Sequence, residues 1–292
     1  MIEITSVNNE LVKEVVKLQQ KKYRDETKKF LLEGFKPIQE AFLAGIEIEQ
    51  VFVLKEKAEK YAFLQKTMKP ANDVALNLIQ GRTSERPCDP ESSSGRREGS
   101  VLNSKLEFIL TTEPVLKKIS TTDSAPDAVA VARQKFFTID DIKSAKKITL
   151  LENIKDLGNL GTILRTAKAF SQDAVILFGD TVDLYNPKCV RSAVGNLWKI
   201  PVVNIKDFQT LETEFEGFER IATLPKSNDS KFLKDFKINA PYLIMFGAEA
   251  EGLSGDLIDF ATKKVTIEMD STVESLNLSV SVGVVLYKIA MT

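Results

Sequence analysis

The sequence predicts an α/β protein in two parts. A parallel-sheet C-terminal domain covers residues 148–292, a small N-terminal α/β domain covers residues 1–134, and residues 135–147 link them. Three observations predict this. From Ile148 onward, short apolar strands alternate with helical stretches, the pattern of a parallel sheet covered on both faces. The first 65 or so residues also alternate helix and strand. At 292 residues the chain has the length of two ordinary domains.

Taken in order, Asn8 or Asn9 can cap a helix whose apolar positions, Leu11, Val12, Val15, Val16 and Leu18, recur with a 3.6-residue period. Residues 19–29 hold five cations, Lys21, Lys22, Arg24, Lys28 and Lys29, against Asp25 and Glu26. A second helix starts near Pro37 and ends at Gly45, because proline suits a first helical turn and glycine an exit. Residues 48–54 read as a strand and 57–68 as an amphipathic helix. An insertion at about 70–104 interrupts the domain. Its centre, residues 81–100, has five Ser, four Arg, three Gly and two Pro with no aliphatic or aromatic side chain, so disorder is expected there. Order resumes with a strand at 106–110, a helix from Pro114 and a strand at 128–132.

In the C-terminal part the expected strands are 148–154, 174–178, 200–205, 220–224, 242–246 and 264–269. A last helix at 276–290 is apolar nearly all round, through Leu278, Val280, Val282, Val284, Val285, Leu286 and Ile289. Such a helix belongs in a core or an interface.

Composition excludes several chemistries. The chain has no histidine, which removes Ser-His-Asp and Cys-His hydrolases, His-ligated zinc and any imidazole base. Two cysteines, Cys88 and Cys189, cannot build a disulfide framework or a four-thiolate zinc site, so no metal is expected. The net charge is -1, so a nucleic-acid partner must be held by a local basic patch. No membrane span and no signal peptide are expected, and a cytoplasmic protein is the default.

Ligands of open parallel sheets sit at the carboxyl ends of the strands. Four strand ends here carry unusual residues, and none carries the dinucleotide glycine pattern. The first runs from Glu152 through Gly158-Asn159 to Arg165-Thr166-Ala167, with Asn159 at a helix start and Arg165 about two turns further in. Read plainly, Asn159 is a cap and Arg165 a surface cation. The second is Phe178-Gly179, followed by a loop into a helix at Pro187. Lys188 and Arg191 fall near that helix start, where cations oppose the dipole, which hints at an anionic partner. The third is Gly247-Ala248-Glu249 with Gly252-Leu253-Ser254, a turn and cap in the plain reading. The fourth is Ser275-Leu276-Asn277 at the head of the last helix, where capping again suffices.

In this order the segments resemble the SpoU/TrmH class of RNA ribose 2′-O-methyltransferases. Phe30-Leu-Leu-Glu-Gly34 and Lys36-Pro-Ile-Gln-Glu-Ala41 also resemble that class's substrate-binding domain. The resemblance covers the chain outside about residues 68–104. It implies an α/β fold with a C-terminal trefoil knot, a homodimer, S-adenosylmethionine as cofactor and an RNA substrate, rRNA ahead of tRNA. By motif position it implies a reaction site of Asn159, Arg165, Glu249, Ser275 and Asn277. It implies a cofactor site of Phe178, Gly179, Gly247, Gly252, Ile267, Met269 and Leu276. The expected RNA contacts are Lys21, Lys22, Arg24, Lys28, Lys29, Lys188 and Arg191. Leu157 stands where many members of the class have proline. Two other readings stay open at this point: a silent RNA-binding or assembly protein of the same fold, and an unrelated α/β nucleotide enzyme.

Overall fold

The computed structural model describes residues 2–66, 106–226 and 230–291, so the insertion expected at 70–104 lies outside the described residues. Among the described residues, two sheets carry the structure. The first has five strands: β1 (Ile2–Ile4), β2 (Lys29–Glu33), β3 (Ile48–Leu54), β4 (Glu107–Thr111) and β5 (Ala128–Arg133), in the order β1-β4-β3-β5-β2. β5 runs antiparallel to β2 and β3, and the remaining pairs are parallel. Helices α1 (Glu10–Lys17), α2 (Lys21–Thr27), α3 (Phe35–Leu43), α4 (Phe63–Lys66) and α5 (Glu113–Ile119) surround it.

Side chains alternate across this sheet with the two-residue period of a strand. Leu31, Phe52, Ile109, Val129 and Val131 face one core with Val12, Val15, Leu116 and Ile119 from α1 and α5. Phe30, Leu32, Val51, Val53 and Ala130 face the other with Ile38 and Ala41 from α3. Asn9 caps α1 by accepting the Leu11 N–H at 2.9 Å.

The second sheet has seven strands, all parallel. They are β6 (Lys147–Glu152), β7 (Ala174–Phe178), β8 (Val202–Ile205), β9 (Glu219–Thr223), β10 (Lys231–Phe232), β11 (Tyr242–Phe246) and β12 (Lys263–Thr266), in the order β10-β12-β9-β11-β6-β7-β8. Helices α6 (Leu157–Ala169), α7 (Pro187–Ser192) and α10 (Leu278–Ala290) cover one face, and α8 (Phe208–Glu214) and α9 (Gly255–Phe260) the other. Both faces are therefore buried, which is why β7 and β11 read as unbroken apolar runs.

Several expectations are amended. Residues 57–68 do not form one helix. A 3-10 turn over Lys55–Tyr61 precedes the short α4, and the fully buried Tyr61 is tied down by donating its hydroxyl to Asp127 at 2.6 Å. β1, β2 and β10 were not foreseen as strands. β2 has only three apolar residues beside a basic stretch, too few for a period to be read. The segment read as a linker is docked: Phe137 bridges Val203 of β8, and Ile142 is buried.

The two sheets are tied together at α7. Arg24, 1% exposed, donates to Asp183 at 2.5 and 2.8 Å and to the Leu18 carbonyl at 2.7 Å. Arg191 pairs with Glu33, and Lys199 reaches Glu40 at 2.5 Å. Phe30 packs its ring 4.9 Å from Tyr185 and 5.4 Å from Trp198.

Candidate active site

The site is built at the carboxyl edge of the seven-stranded sheet, where the neighbours β11, β6 and β7 end at Gly247, Asn153 and Gly179. Asp156 caps α6 by accepting the Asn159 N–H at 2.7 Å. That hydrogen bond, with Lys188 3.5 Å away, holds the Asp156 carboxyl below the usual carboxylate range. Asn159 is therefore not the cap, and its side-chain amide is left for other work.

That amide joins three of the four segments. Asn159 Nδ2 donates to Glu249 Oε1 at 2.8 Å, and Asn277 Nδ2 donates to Asn159 Oδ1 at 3.1 Å. Asn277 also caps α10, accepting from the Ser279 N–H at 2.9 Å and the Ser279 hydroxyl at 2.6 Å. Glu249 rides on a tight turn closed by two hydrogen bonds between Ala248 and Gly252, 3.1 and 3.0 Å long. Gly247 is required by this turn: a Cβ there would lie 1.9 Å from the Gly252 carbonyl carbon. The turn is anchored from below by the buried Glu152, whose Oε2 accepts the Ser254 N–H at 2.7 Å.

The second edge loop is equally close. Gly179 has φ +77°, and a Cβ there would lie 2.4 Å from Asn153 Oδ1, which accepts the Asp180 N–H at 2.8 Å. Lys155 pairs with Asp180 at 2.5 Å and, together with Lys21 and Lys206 further off, lowers the pKa of that carboxyl.

Arg165 and Ser275 are exposed and stand outside the hydrogen-bonded chain. Six residues of helix carry Arg165 roughly 120° round from Asn159. Its neighbour Thr166 faces Gly283 of α10. Ile267 and Leu276 are partly buried, and Met269 is exposed. These apolar side chains follow β12 into the segment that ends at Asn277. Together with the bare backbone at Gly179 and Gly247 they fit a flat, partly apolar ligand lying against the sheet edge.

The expected RNA contacts divide. Lys21, Lys22 and Lys28 are exposed. Arg24 is corrected: it is buried and spent on Asp183, so it holds the two sheets together and offers nothing to a phosphate. Lys29 pairs with Glu49 at 2.5 Å. Arg191 lies in the last turn of α7, where a cation suits the dipole, and its charge is met by Glu33. The dipole argument survives only for Lys188, at the second helical position, and Asp156 answers it there. Three residues with structural duties at the site had no role assigned from sequence: Glu152, Asn153 and Asp156. Asp156 was the legible one, since an acid three residues before Asn159 has the spacing of a cap. Burial pushes the Cys189 thiol up to about 12, so it is no nucleophile. Among the described residues no acidic or thiol cluster is arranged to hold a metal, and no helix is long and apolar enough to cross a membrane.

Comparison with known proteins gives this geometry a context. Residues 146–287 match the SpoU rRNA Methylase family, and residues 9–130 match the MRM3-like substrate binding domain. The chain is 29% identical to an uncharacterised tRNA/rRNA methyltransferase of Synechocystis, over 98% of this chain and 92% of that one. It is 25% identical to the 23S rRNA guanosine-2553 2′-O-methyltransferase of Bacillus subtilis, over 98% of each. Among solved structures, an S-adenosylmethionine-bound rRNA methyltransferase of Sinorhizobium meliloti superposes with a TM-score of 0.77 at 24% identity, over 98% of this chain and 96% of that one. An RNA 2′-O ribose methyltransferase superposes at 0.71 with 27% identity, over 99% and 98%. The fold is the knotted α/β fold of these enzymes. The two matches, separated by residues 131–145, together span most of the chain: its C-terminal part belongs to the SpoU methylase family and carries an MRM3-like substrate-binding domain on its N-terminal side.

Proposed function

We propose that this protein methylates a ribose 2′-hydroxyl in structured rRNA, in the cytoplasm, using S-adenosylmethionine. Residues 1–134 bind the RNA, residues 148–292 carry the reaction, and residues 135–147 join them. The observation that supports this most directly is the chain Asn277–Asn159–Glu249, which ties three separate sequence motifs into one polar cluster at the sheet edge. The Bacillus subtilis relative, matched over nearly its full length and named for 23S rRNA 2′-O-methylation, supplies the substrate class.

S-adenosylmethionine, when bound, supplies a methyl group already electrophilic on a sulfonium. Phe178, Gly179, Gly247, Gly252, Ile267, Met269 and Leu276 would hold it against the strand ends. What remains for the protein is to hold a hydroxyl in line and to stabilise the alkoxide that develops. Asn159, Ser275 and Asn277 position the ribose and its loops. Glu249 fixes Asn159. Arg165 stabilises the alkoxide by charge. A guanidinium keeps its proton in proteins, so the hydroxyl proton passes to water.

We further propose a homodimer. Val280, Val284 and Tyr287 leave an apolar stripe along α10, 50%, 38% and 55% exposed. A second copy would cover it, and it would also flank Arg165, whose helix packs on α10. The test of the function is direct. The protein is incubated with labelled S-adenosylmethionine and bulk rRNA or tRNA, and the 2′-O-methyl positions are mapped. Transfer to rRNA is expected. Failure to bind the cofactor by calorimetry would sink the proposal, and binding without transfer to either RNA would favour the silent binder.

A further inference from the structure

A cleft of about 470 Å³ opens between the two sheets, on the side of α2 and away from the Asn159 cluster. From the N-terminal side it is lined by Lys21 and Gln134, from the connecting segment by Lys135 and Phe136, and from the C-terminal part by Asp180, Asn204 and Lys206. It reaches the sheet edge at Gly179-Asp180, the same loop that borders the proposed cofactor site.

Three features of the lining point to one kind of occupant. Phe136 is 58% exposed and stands on the wall of the cleft, its face open to a ligand. It is braced rather than loose, edge-on to Tyr185 at 6.2 Å with Lys28 Nζ 5.5 Å from its centroid. The charge is positive once internal pairs are removed. Asp183 is committed to Arg24, and Asp180 is paired with Lys155 and only weakly shared by Lys21 and Lys206, so these two lysines and Lys135 outweigh Asp25. Finally, Asn204 is polar where the strand pattern allows an apolar residue. The two-residue period places it on the same face as Val202, and both line the cleft. Its amide has no hydrogen-bond partner among the described residues, and Gln134 uses only its Nε2 donors, on the Arg24 and Lys29 carbonyls at 3.2 and 3.3 Å.

A braced exposed ring, flanking lysines from both parts of the molecule and an unspent amide are the components of a single-stranded nucleic-acid site. Stacking supplies affinity, lysines meet the phosphates, and the amide meets a base edge. We propose that this cleft receives one unstacked nucleotide of the RNA, its base against the Phe136 ring, its phosphates between Lys21 and Lys206, and Asn204 on the base edge. This rests on the RNA-methylating function proposed above and adds a second grip on the strand, at a fixed distance from the reacting ribose. The distance is fixed because the two sheets are locked together at Arg24 and Arg191.

The test uses the full chain and a single-stranded hexaribonucleotide carrying 2-aminopurine. Binding to the wild type is expected to quench the probe. Phe136→Ala is expected to weaken binding at least fivefold and up to roughly a hundredfold, the range for loss of one base–aromatic stack. Phe136→Tyr keeps the stack and is expected to bind as the wild type does, whereas Phe136→Leu, apolar but not flat, is expected to follow the alanine variant. S-adenosylmethionine affinity and melting temperature should be unchanged in all three, since the ring is exposed. The inference is overturned if Phe136→Ala binds within twofold of the wild type, if leucine serves as well as tyrosine, or if a blunt RNA duplex competes as well as the single strand. Methyl transfer to rRNA by the wild type is measured in parallel. Intact transfer with an indifferent Phe136 sinks the cleft alone. Absent transfer with a Phe136-dependent quench sinks the enzymatic reading and leaves the cleft standing.

Discussion

Arg165 is the residue on which the chemical reading turns. It is exposed, uncommitted to any carboxylate among the described residues, and sits on the helix that also carries Asn159. If its charge stabilises the alkoxide, its contribution belongs to the transition state and not to cofactor binding. Arg165→Ala is expected to lower turnover by about 100- to 1,000-fold. Calorimetry should find S-adenosylmethionine affinity little changed. Arg165→Lys is expected to stay poor, because an ammonium on a flexible stem does not reproduce the planar fork. Near-normal turnover in the alanine variant would remove Arg165 from the mechanism.

Helices α6 and α10 carry the reaction site between them, and each can be tested through its cap or its exposed face. The Asp156 cap holds the first turn of α6, so Asp156→Ala is expected to cost ~1 kcal/mol of stability. The same cap has a pH signature. The folded-state pKa of Asp156 lies below the unfolded value because the Asn159 N–H, and secondarily Lys188, favour the carboxylate. Its contribution is therefore present above the unfolded pKa and lost as pH falls through the folded one. Denaturant midpoints of the wild type and Asp156→Asn should converge in that acidic window and separate above it. Convergence at neutral pH would mean the charge adds nothing to the cap. On α10, Tyr287→Glu places a charge in the proposed dimer stripe. Light scattering at micromolar concentration is expected to shift from dimer to monomer, with methyl transfer falling alongside. A wild-type monomer with full activity would end the dimer proposal.

The two sheets behave as one body because charges are buried between them. Arg24 is nearly inaccessible and Asp183 little more exposed, so removing one partner strands the other. Arg24→Ala is expected to cost about 3–5 kcal/mol, read as a lower denaturant midpoint, whereas Arg24→Met, which fills the space without a charge, is expected to cost much less when combined with Asp183→Asn. Independent melting of the two parts in the wild type would contradict this coupling.

Much of this architecture was legible in the sequence. The alternation after Ile148 carried the parallel sheet, and the runs at 174–178 and 242–246 matched β7 and β11 residue for residue, because strands buried on both faces need continuous apolar side chains. Helix α1 was equally plain in the period of Val12 and Val15 and in the Asn9 cap. The order of the motifs also put Asn159, Glu249 and Asn277 at the ends of elements, since polar residues beside glycine at a strand end are a local signal. What no local signal could give is which of these side chains touch. Asn159, Glu249 and Asn277 are separated by up to 118 positions, and their hydrogen bonds exist only once the strands are ordered in the sheet. The fate of the cations was likewise a tertiary matter. Lys21 and Arg24 lie within one turn of the same helix, yet one faces solvent and the other is buried against Asp183, 159 positions away. A sequence displays a charge, but only the fold supplies the countercharge, and burial with or without one decides whether a lysine or arginine serves a ligand or the structure.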